Sequence, residues 1–331
     1  MSDVKKSWKF LLLIATNLLG GCAIFGTTGD NSYDTRFITV QNINLFDQRT
    51  PSNLVKRSWK GDWLFRRERL ELIDSELRLA KPDIVFFQDM LAKRGSPSES
   101  DRNILAKGSL KDYEWNSIKI KNFRDTQEDS FHSVAVGLPV KKYNKHFALH
   151  NSWEIGVDGF LTLTLLELDE KPILAFSLQM PAKEKTIDNW YLIAWRRIEQ
   201  TVEKLRLCKK RIIIAGYMPG RKTSGNFRKM MEALELKDTS EGFCEVASDC
   251  YTGNPLNDIF MATSGGKAPA HMDRILVNTS AIVSFSHPIL KSSQGPSVHG
   301  KSYKIDRLWP TQRFGWAAGL RLPRCTEDYL R

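Results

Sequence analysis

Three stretches of this sequence end a run of strand-forming residues on a side chain able to hold a cation or move a proton. Ile84-Val85-Phe86-Phe87 runs into Gln88-Asp89. Asp273 opens the run Arg274-Ile275-Leu276-Val277. Ile212-Ile213-Ile214-Ala215 breaks at Gly216 and delivers Tyr217. Two carboxylates offer hard oxygen ligands to a divalent cation. A phenol, with a reference pKa of about 10, donates a proton near neutrality and does not take one. Of the six histidines, His271 lies two residues before Asp273 and shares its face on a strand. His299 stands in the loop-like "SSQGPSVHGKS". No metal-ligand spacing links the histidines, so the expectation for all six is a surface or structural role.

The elements that position these residues alternate between two patterns. "RFITVQNINLF" (36–46) alternates apolar and polar residues as a strand does. The stretch 62–83 places Leu70, Ile73 and Leu77 on one helical face, with Asp62 as a candidate N-cap and Pro82 as a stop. "DIVFFQDM", "SFHSVAVGLPV", "FLTLTLLEL" and "PILAFSLQMP" are strands, 186–207 is a long helix, and "SGNFRKMMEALEL" is another. "HMDRILVNTSAIVSFSH" reads as a pair of strands around Asn278-Thr279, and "RFGWAAGLRL" (313–322) as a terminal strand. The stretch 92–103, rich in Ser and Arg, reads as a surface loop. Trp59, Trp63, Arg66, Arg67 and Arg69 suggest either a basic-aromatic patch of the kind that meets nucleic acid or a helix with Trp anchors and solvated arginines. Strands outnumber helices and many neighbours look antiparallel. The expected class is α/β, a four-layer sandwich of two mainly antiparallel sheets packed face to face with helices outside.

The first 22 of the 331 residues bear on compartment. A basic segment with Lys5, Lys6 and Lys9 precedes the apolar run Phe10–Leu19, too short to span a bilayer stably. It ends in Leu19-Gly20-Gly21-Cys22, which resembles a bacterial lipobox. That resemblance implies a signal peptide over 1–21, lipidation of Cys22 and a flexible tether over 22–36. Ala23 in place of an aspartate favours the outer membrane as the destination within the cell envelope. Cleavage would leave 46 basic against 37 acidic residues, a charge of +9 from an initial +11. A basic surface favours polyanions, here nucleic acid, lipopolysaccharide or anionic lipid, or simply keeps the protein soluble. Export permits disulfides among Cys208, Cys244, Cys250 and Cys325. Four cysteines allow three pairings and sequence does not choose among them; Cys244 with Cys250 is the first choice, which would leave Cys208 to Cys325.

The order of elements, and the motifs at their ends, resemble the metal-dependent endonuclease/exonuclease/phosphatase superfamily over 37–322, leaving 323–331 as a tail. That superfamily includes pancreatic-type deoxyribonucleases, apurinic endonucleases and neutral sphingomyelinases. The resemblance implies a four-layer α/β sandwich and phosphate-ester cleavage with a divalent metal. "VQNINLF" resembles its first strand, with Asn42 at the metal-shell asparagine. "KPDIVFFQDM" resembles Pro-Asp-Ile-x-x-x-Gln-Glu, with Asp89 in place of the metal-ligating glutamate. Asp89 is one methylene shorter, which sets its oxygens roughly 1.5 Å back. "MDRILV" keeps the family's aspartate as Asp273. Elsewhere the pattern is lost. Gln179 stands for a histidine, Tyr217 and Pro219 for the aspartate and asparagine of Gly-Asp-Phe-Asn, and Gln312 and Arg313 for the closing acid and histidine.

In that family the lost groups take a proton from water and hold the phosphate, steps worth roughly 10²–10⁴ and 10²–10³ in rate. Gln179 and Gln312 cannot titrate, Arg313 holds a phosphate without deprotonating a water, and Pro219 has no donor. The leading expectation is an envelope lipoprotein, catalytically degenerate, that binds an anionic, phosphate-bearing ligand or a partner through Asn42, Gln179, Tyr217 and Arg313. No cofactor is then expected. The alternatives are a divergent active phosphodiesterase or nuclease using Mg or Mn at Asp89 and Asp273, and an envelope scaffold with no ligand.

Overall fold

The computed structural model describes residues 33–34, 36–45, 66–93, 100–123, 128–151, 160–180, 184–206, 208–218, 225–244, 250–252, 271–291, 298–300, 303–305 and 315–325. Its strands are β1 (Ile38–Asn44), β2 (Ile84–Lys93), β3 (Glu114–Phe123), β4 (Glu128–Val136), β5 (Lys141–Asn151), β6 (Phe160–Leu168), β7 (Lys171–Gln179), β8 (Ile212–Tyr217), β9 (Leu236–Asp238), β10 (Asp273–Asn278), β11 (Ile282–Ile289), β12 (Val298–Gly300), β13 (Tyr303–Ile305) and β14 (Gly315–Arg321). The helices are α1 (Arg66–Ala80), α2 (Asp101–Lys107), α3 (Glu184–Leu205) and α4 (Gly225–Ala233). Two six-stranded sheets carry the fold, ordered β11-β14-β1-β2-β4-β3 and β5-β6-β7-β8-β10-β9, beside a small β12-β13 ribbon. Each large sheet has one parallel pair, β1 with β2 and β7 with β8. A parallel pair needs a crossover. The described helix between β1 and β2 is α1, and that between β7 and β8 is α3.

Period-2 alternation then sorts the core into three layers. Ile38, Val40, Ile84, Phe86, Val134 and Val136 of the first sheet meet Ile173, Ala175, Ile213, Ala215, Ile275 and Val277 of the second. On the outer face of the second sheet, Leu163, Phe176 and Ile214 pack against Trp190, Tyr191, Ala194, Ile198 and Val202 of α3 and Phe227 and Met230 of α4. The three-to-four spacing of those α3 residues is the helical stripe that the sequence promised. On the outer face of the first sheet, Val85, Phe87 and Ala135 meet Leu70, Ile73 and Leu77 of α1 and Leu105 of α2. The arrangement is the four-layer α/β sandwich expected from sequence.

β1, β2, β7 and β8 all run toward one end of the sandwich, called upper here. At the lower end Arg211 fastens the chain. Its Nη1 donates to both oxygens of Asp34 at 2.8 Å and to the Pro323 carbonyl at 3.0 Å; Nε and Nη2 donate to the carbonyls of Pro172 and Leu168. Both partners of the ion pair are fully buried. Burial holds the Asp34 carboxyl above its ordinary range even against the Arg211 bonds and charge. A disulfide joins Cys208 to Cys325 beside this tie, and a second joins Cys244 to Cys250. Tyr33–Arg331 form one compact unit. Among the described residues no helix is long and apolar enough to cross a membrane.

Two expectations need correction. The stretch 92–103 is not loop throughout: α2 starts at Asp101, with the Ser100 hydroxyl accepting from the Asn103 N–H as an N-cap. The two strands expected around Asn278-Thr279 are present but lie in different sheets. β10 belongs to the second sheet and β11 to the first, where it pairs with β14, so the short turn carries the chain across the sandwich. Arg69 is 2 % exposed, which removes it from a solvated basic patch. Trp59, Trp63 and the side chains of Arg66 and Arg67 lie outside the described residues.

Candidate functional site

Along six central strands the side chains that face the other sheet are apolar at the lower end and become polar at the upper end. Val40 gives way to Asn42, Phe86 to Gln88, Val134 to His132, Ala175 to Ser177 and Gln179, Ala215 to Tyr217, and Ile275 to Asp273. The same period that builds the apolar core therefore roofs it with a polar layer.

The layer is joined by directed hydrogen bonds across the two sheets. Asn42 Nδ2 donates to the Gly216 carbonyl at 3.3 Å. Gln88 Nε2 donates to Asn42 Oδ1 at 2.8 Å and lies 3.4 Å from Ser177 Oγ. Ser177 Oγ is 3.2 Å from His132 Nδ1, and His132 Nε2 is 2.7 Å from Gln179 Oε1. Gln179 Nε2 donates to Asp89 Oδ2 at 3.0 Å. That last bond fixes the orientation of the Gln179 amide. Its oxygen can only accept, so His132 Nε2 carries the proton and Nδ1 accepts from the Ser177 hydroxyl. Complete burial lowers the His132 pKa to about 3, against which the Gln179 bond is the weaker effect. The imidazole is neutral at any physiological pH.

Local backbone sets two of these positions. The β2–β4 register shifts between Phe87 and Met90, and within that bulge Asp89 takes φ 58°. Aspartate tolerates this left-handed region better than most residues. Gly216 has φ 153°, and a Cβ placed on it would stand 1.8 Å from the Leu178 carbonyl oxygen. Only glycine lets β8 approach β7 this closely. The register places Gln179, Tyr217 and Asp273 side by side in one row across β7, β8 and β10. Asp273 is fully buried, and its backbone N–H donates to the Thr252 hydroxyl at 3.0 Å.

A separate buried pair flanks that row. Arg274, on the opposite face of β10, bonds Asp238, with His271 Nδ1 3.2 Å from Arg274 Nη1. Burial raises the Asp238 carboxyl, but Arg274 and then His271 more than reverse it and leave it below the ordinary range. The His271 ring lies 4.6 Å from that of Trp316. His271 thus serves this structural pair, as expected of a bland histidine.

The structure brings together Asn42, Gln88, Asp89, Gln179, Tyr217 and Asp273 at the upper end, as the sequence suggested. Asn42 is fully buried, and its amide is used within the layer. Pro219, Gln312, Arg313, Cys22 and the side chain of His299 lie outside the described residues. His132 and Ser177 were missed. The signal for His132 was present: it shares the period-2 face of Val134 and Val136, which points between the sheets. The divalent metal implied by the family resemblance is a poor match to the residues described. Magnesium asks for near-octahedral oxygen ligands, whereas one oxygen of Asp89 already receives an amide N–H. Among the described residues no group of three His, Cys, Asp or Glu is placed to hold an ion.

No protein-family model matches the chain, and no curated protein matches its sequence. Solved structures do match its fold. An endonuclease/exonuclease/phosphatase family protein from Bacteroides thetaiotaomicron superposes with a TM-score of 0.62 at 14% identity, covering 88% of this chain and 99% of that one. A mannosyl-6-phosphatase from Bacteroides thetaiotaomicron VPI-5482 gives 0.61 at 14%, covering 86% and 99%. Truncated TDP2 from Caenorhabditis elegans gives 0.56 at 11%, covering 86% and 97%. The chain has the fold of the endonuclease/exonuclease/phosphatase proteins.

Proposed function

We propose that this chain is an envelope lipoprotein, anchored through Cys22 in the outer membrane, that uses a phosphoesterase fold to bind a phosphate-bearing anion or partner without hydrolysing it. The observation that carries this reading is the placement of Gln179. Its amide joins a neutral, buried imidazole to the carboxylate in the metal-ligand position. An N–H donor aimed at that carboxylate competes with a cation for the same lone pair. In the neighbouring strand Tyr217 replaces the expected base with a phenol. His132 is no substitute base, because burial removes its affinity for a proton near neutrality. Binding needs less than catalysis: the net charge of +9 left after cleavage (46 basic against 37 acidic residues), with Arg313 at the closing motif, favours a polyanion.

The retained bulge at Asp89 supports a second reading, a slow metal-dependent phosphodiesterase, since a carboxylate is still held there at a positive φ. One set of assays separates the two. The purified chain, with magnesium or manganese, is offered DNA, RNA and bis(p-nitrophenyl) phosphate. The expected result is no turnover, with salt-sensitive oligonucleotide binding. Arg313→Ala should weaken that binding about tenfold, the weight of one charge-assisted hydrogen bond. Turnover that disappears in Asp89→Ala would establish the second reading, and absence of any binding would remove the first.

A further inference from the structure

The lower end of the sandwich, opposite the polar layer, exposes large apolar side chains in a repeated setting. Phe37 is 46% exposed and follows Arg36. Leu79 is 86% exposed and lies between Arg78 and Lys81. Leu138 is 82% exposed and precedes Lys141. Three chain segments present these residues: the entry to β1, the link from α1 to β2, and the turn from β4 to β5. Two backbone bonds hold the segments side by side, Asp83 N–H to the Thr39 carbonyl and Gly137 N–H to the Asp83 carbonyl, each 2.9 Å. Arg36, Lys81 and Lys141 are exposed. Acids share this end: Glu167 lies opposite Lys141 across the β5–β6 pair, and Asp169 and Glu170 are exposed in the β6–β7 turn, among further basic residues such as Lys171 and Lys210. Asp74 pairs with Arg78, Asp83 accepts the Thr39 N–H, and Glu114 accepts the Lys142 N–H. A groove of about 660 Å³ opens beside Leu79 and runs along the side of the sandwich between α1 and the β11–β14 pair, with Phe285 toward this end.

We infer that this lower end is a membrane-docking face that rests on an anionic lipid bilayer and turns the polar layer away from it. Apolar side chains that enter the acyl boundary, ringed by lysine and arginine that meet anionic head groups, are the composition such a surface requires. The position of the N-terminus identifies the partner. The compact unit begins at Tyr33, which bridges Pro323 at this same end. Only residues 23 to 32 separate it from Cys22, a span of at most about 35 Å when fully extended. A lipid on Cys22 would therefore leave this end the one joined to the bilayer by the shortest stretch of chain. The proposal rests on the envelope reading for its biological setting. Its test does not, because the chain from Ala23 onward keeps the whole compact unit and has no lipid site.

That chain is mixed with vesicles of phosphatidylglycerol and phosphatidylcholine, or of phosphatidylcholine alone, and bound protein is measured by flotation. Binding to the anionic vesicles that falls with salt is expected. The triple change Phe37→Ser, Leu79→Ser and Leu138→Ser should weaken it about tenfold or more. Lys81→Glu with Lys141→Glu should weaken it comparably. Thermal unfolding of each variant reports folding, and the charge-reversal pair decides the matter if the triple variant is unstable. No binding to anionic vesicles overturns the proposal. So does binding that both lower-end variants keep in full, since that places the lipid elsewhere on the chain. Palmitate labelling of the full chain, lost in Cys22→Ser, tests the anchor separately.

Discussion

Gln179 donates its amide N–H to Asp89 while its oxygen accepts a hydrogen bond from His132 Nε2–H, so one neutral side chain ties an imidazole of the first sheet to a carboxylate of the same sheet across the sandwich. The two bonds satisfy groups that would otherwise be exchanged with water or a cation. The same amide thus closes the polar layer at this edge.

Replacing Gln179 by leucine should therefore destabilise the fold. The His132 Nε2–H and an Asp89 oxygen each lose a partner, and each such loss costs about 1–3 kcal/mol when buried. Asp89 lies at the edge of the layer, where water can compensate. The expected loss is roughly 2–4 kcal/mol, read as a shift in urea midpoint with an unchanged m-value. A midpoint that does not move would show that the bridge carries no weight.

His132 gives the protein an acid-sensitive step. Its folded pKa of about 3 lies below the ordinary value of 6.5 because burial disfavours the imidazolium. The unfolded chain therefore binds the proton first. Stability from this group is complete above about pH 6.5, falls as pH drops below that, and is fully lost near pH 3. A span of that size corresponds to roughly 5 kcal/mol. Asp34 and Asp83, whose carboxyls burial raises, bend the curve the other way at its acidic end. The comparison is thus between the parent and His132→Asn. Urea midpoints across pH 7 to 4 should fall steeply for the parent and more gently for the variant, and parallel curves would refute the assignment.

The sequence made some of these features legible and hid others for physical reasons. Gln88, Asp89 and Asp273 stand where apolar runs meet polar residues, which is legible locally, although β2 continues past Asp89 to Lys93 through a bulge that the pattern does not announce. The row Gln179–Tyr217–Asp273 depends on register between strands distant in the chain, which local pattern does not encode. His132 was visible only as an alternating residue. Its role comes from partners 45 and 47 positions away on the other sheet. Helix α2 was masked by Gly, Ser and Pro just before it, although Ser100 and Asp101 are an N-cap and a first-turn acid. The turn at Asn278-Thr279 is short enough for a hairpin, and nothing local distinguishes a hairpin from a crossing between sheets.

Gly216 should tolerate no side chain. A Cβ there would overlap the Leu178 carbonyl, a backbone atom of the central β7–β8 pair that has no rotamer to change. Gly216→Ala would have to part β8 from β7 and disturb the Asn42 bond to the Gly216 carbonyl. Overpacking of this kind costs about 1–3 kcal/mol, and the left-handed-side φ adds to it. The check is a urea melt together with tryptophan fluorescence, since Trp190 and Trp316 lie in the adjoining cores. A variant as stable as the parent would mean that the two strands are not held this closely.

The Arg211–Asp34 tie should behave as a buried pair does when one partner is taken away. Asp34→Ala leaves a fully buried guanidinium beside three carbonyls that only partly compensate its charge. Breaking such a pair costs about 3–5 kcal/mol, whereas replacing both partners by apolar residues is often close to neutral. Asp34→Leu with Arg211→Met should therefore be more stable than Asp34→Ala alone. The double change also removes the bonds from Arg211 to the Leu168, Pro172 and Pro323 carbonyls, so full recovery is not expected. Calorimetry of the three proteins, with the Cys208–Cys325 bridge intact so that the C-terminal segment stays tethered, measures the order directly. If the double variant melts below the single one, the carbonyl bonds outweigh the charge, and Arg211 holds the lower end together chiefly as a five-donor hydrogen-bonding hub.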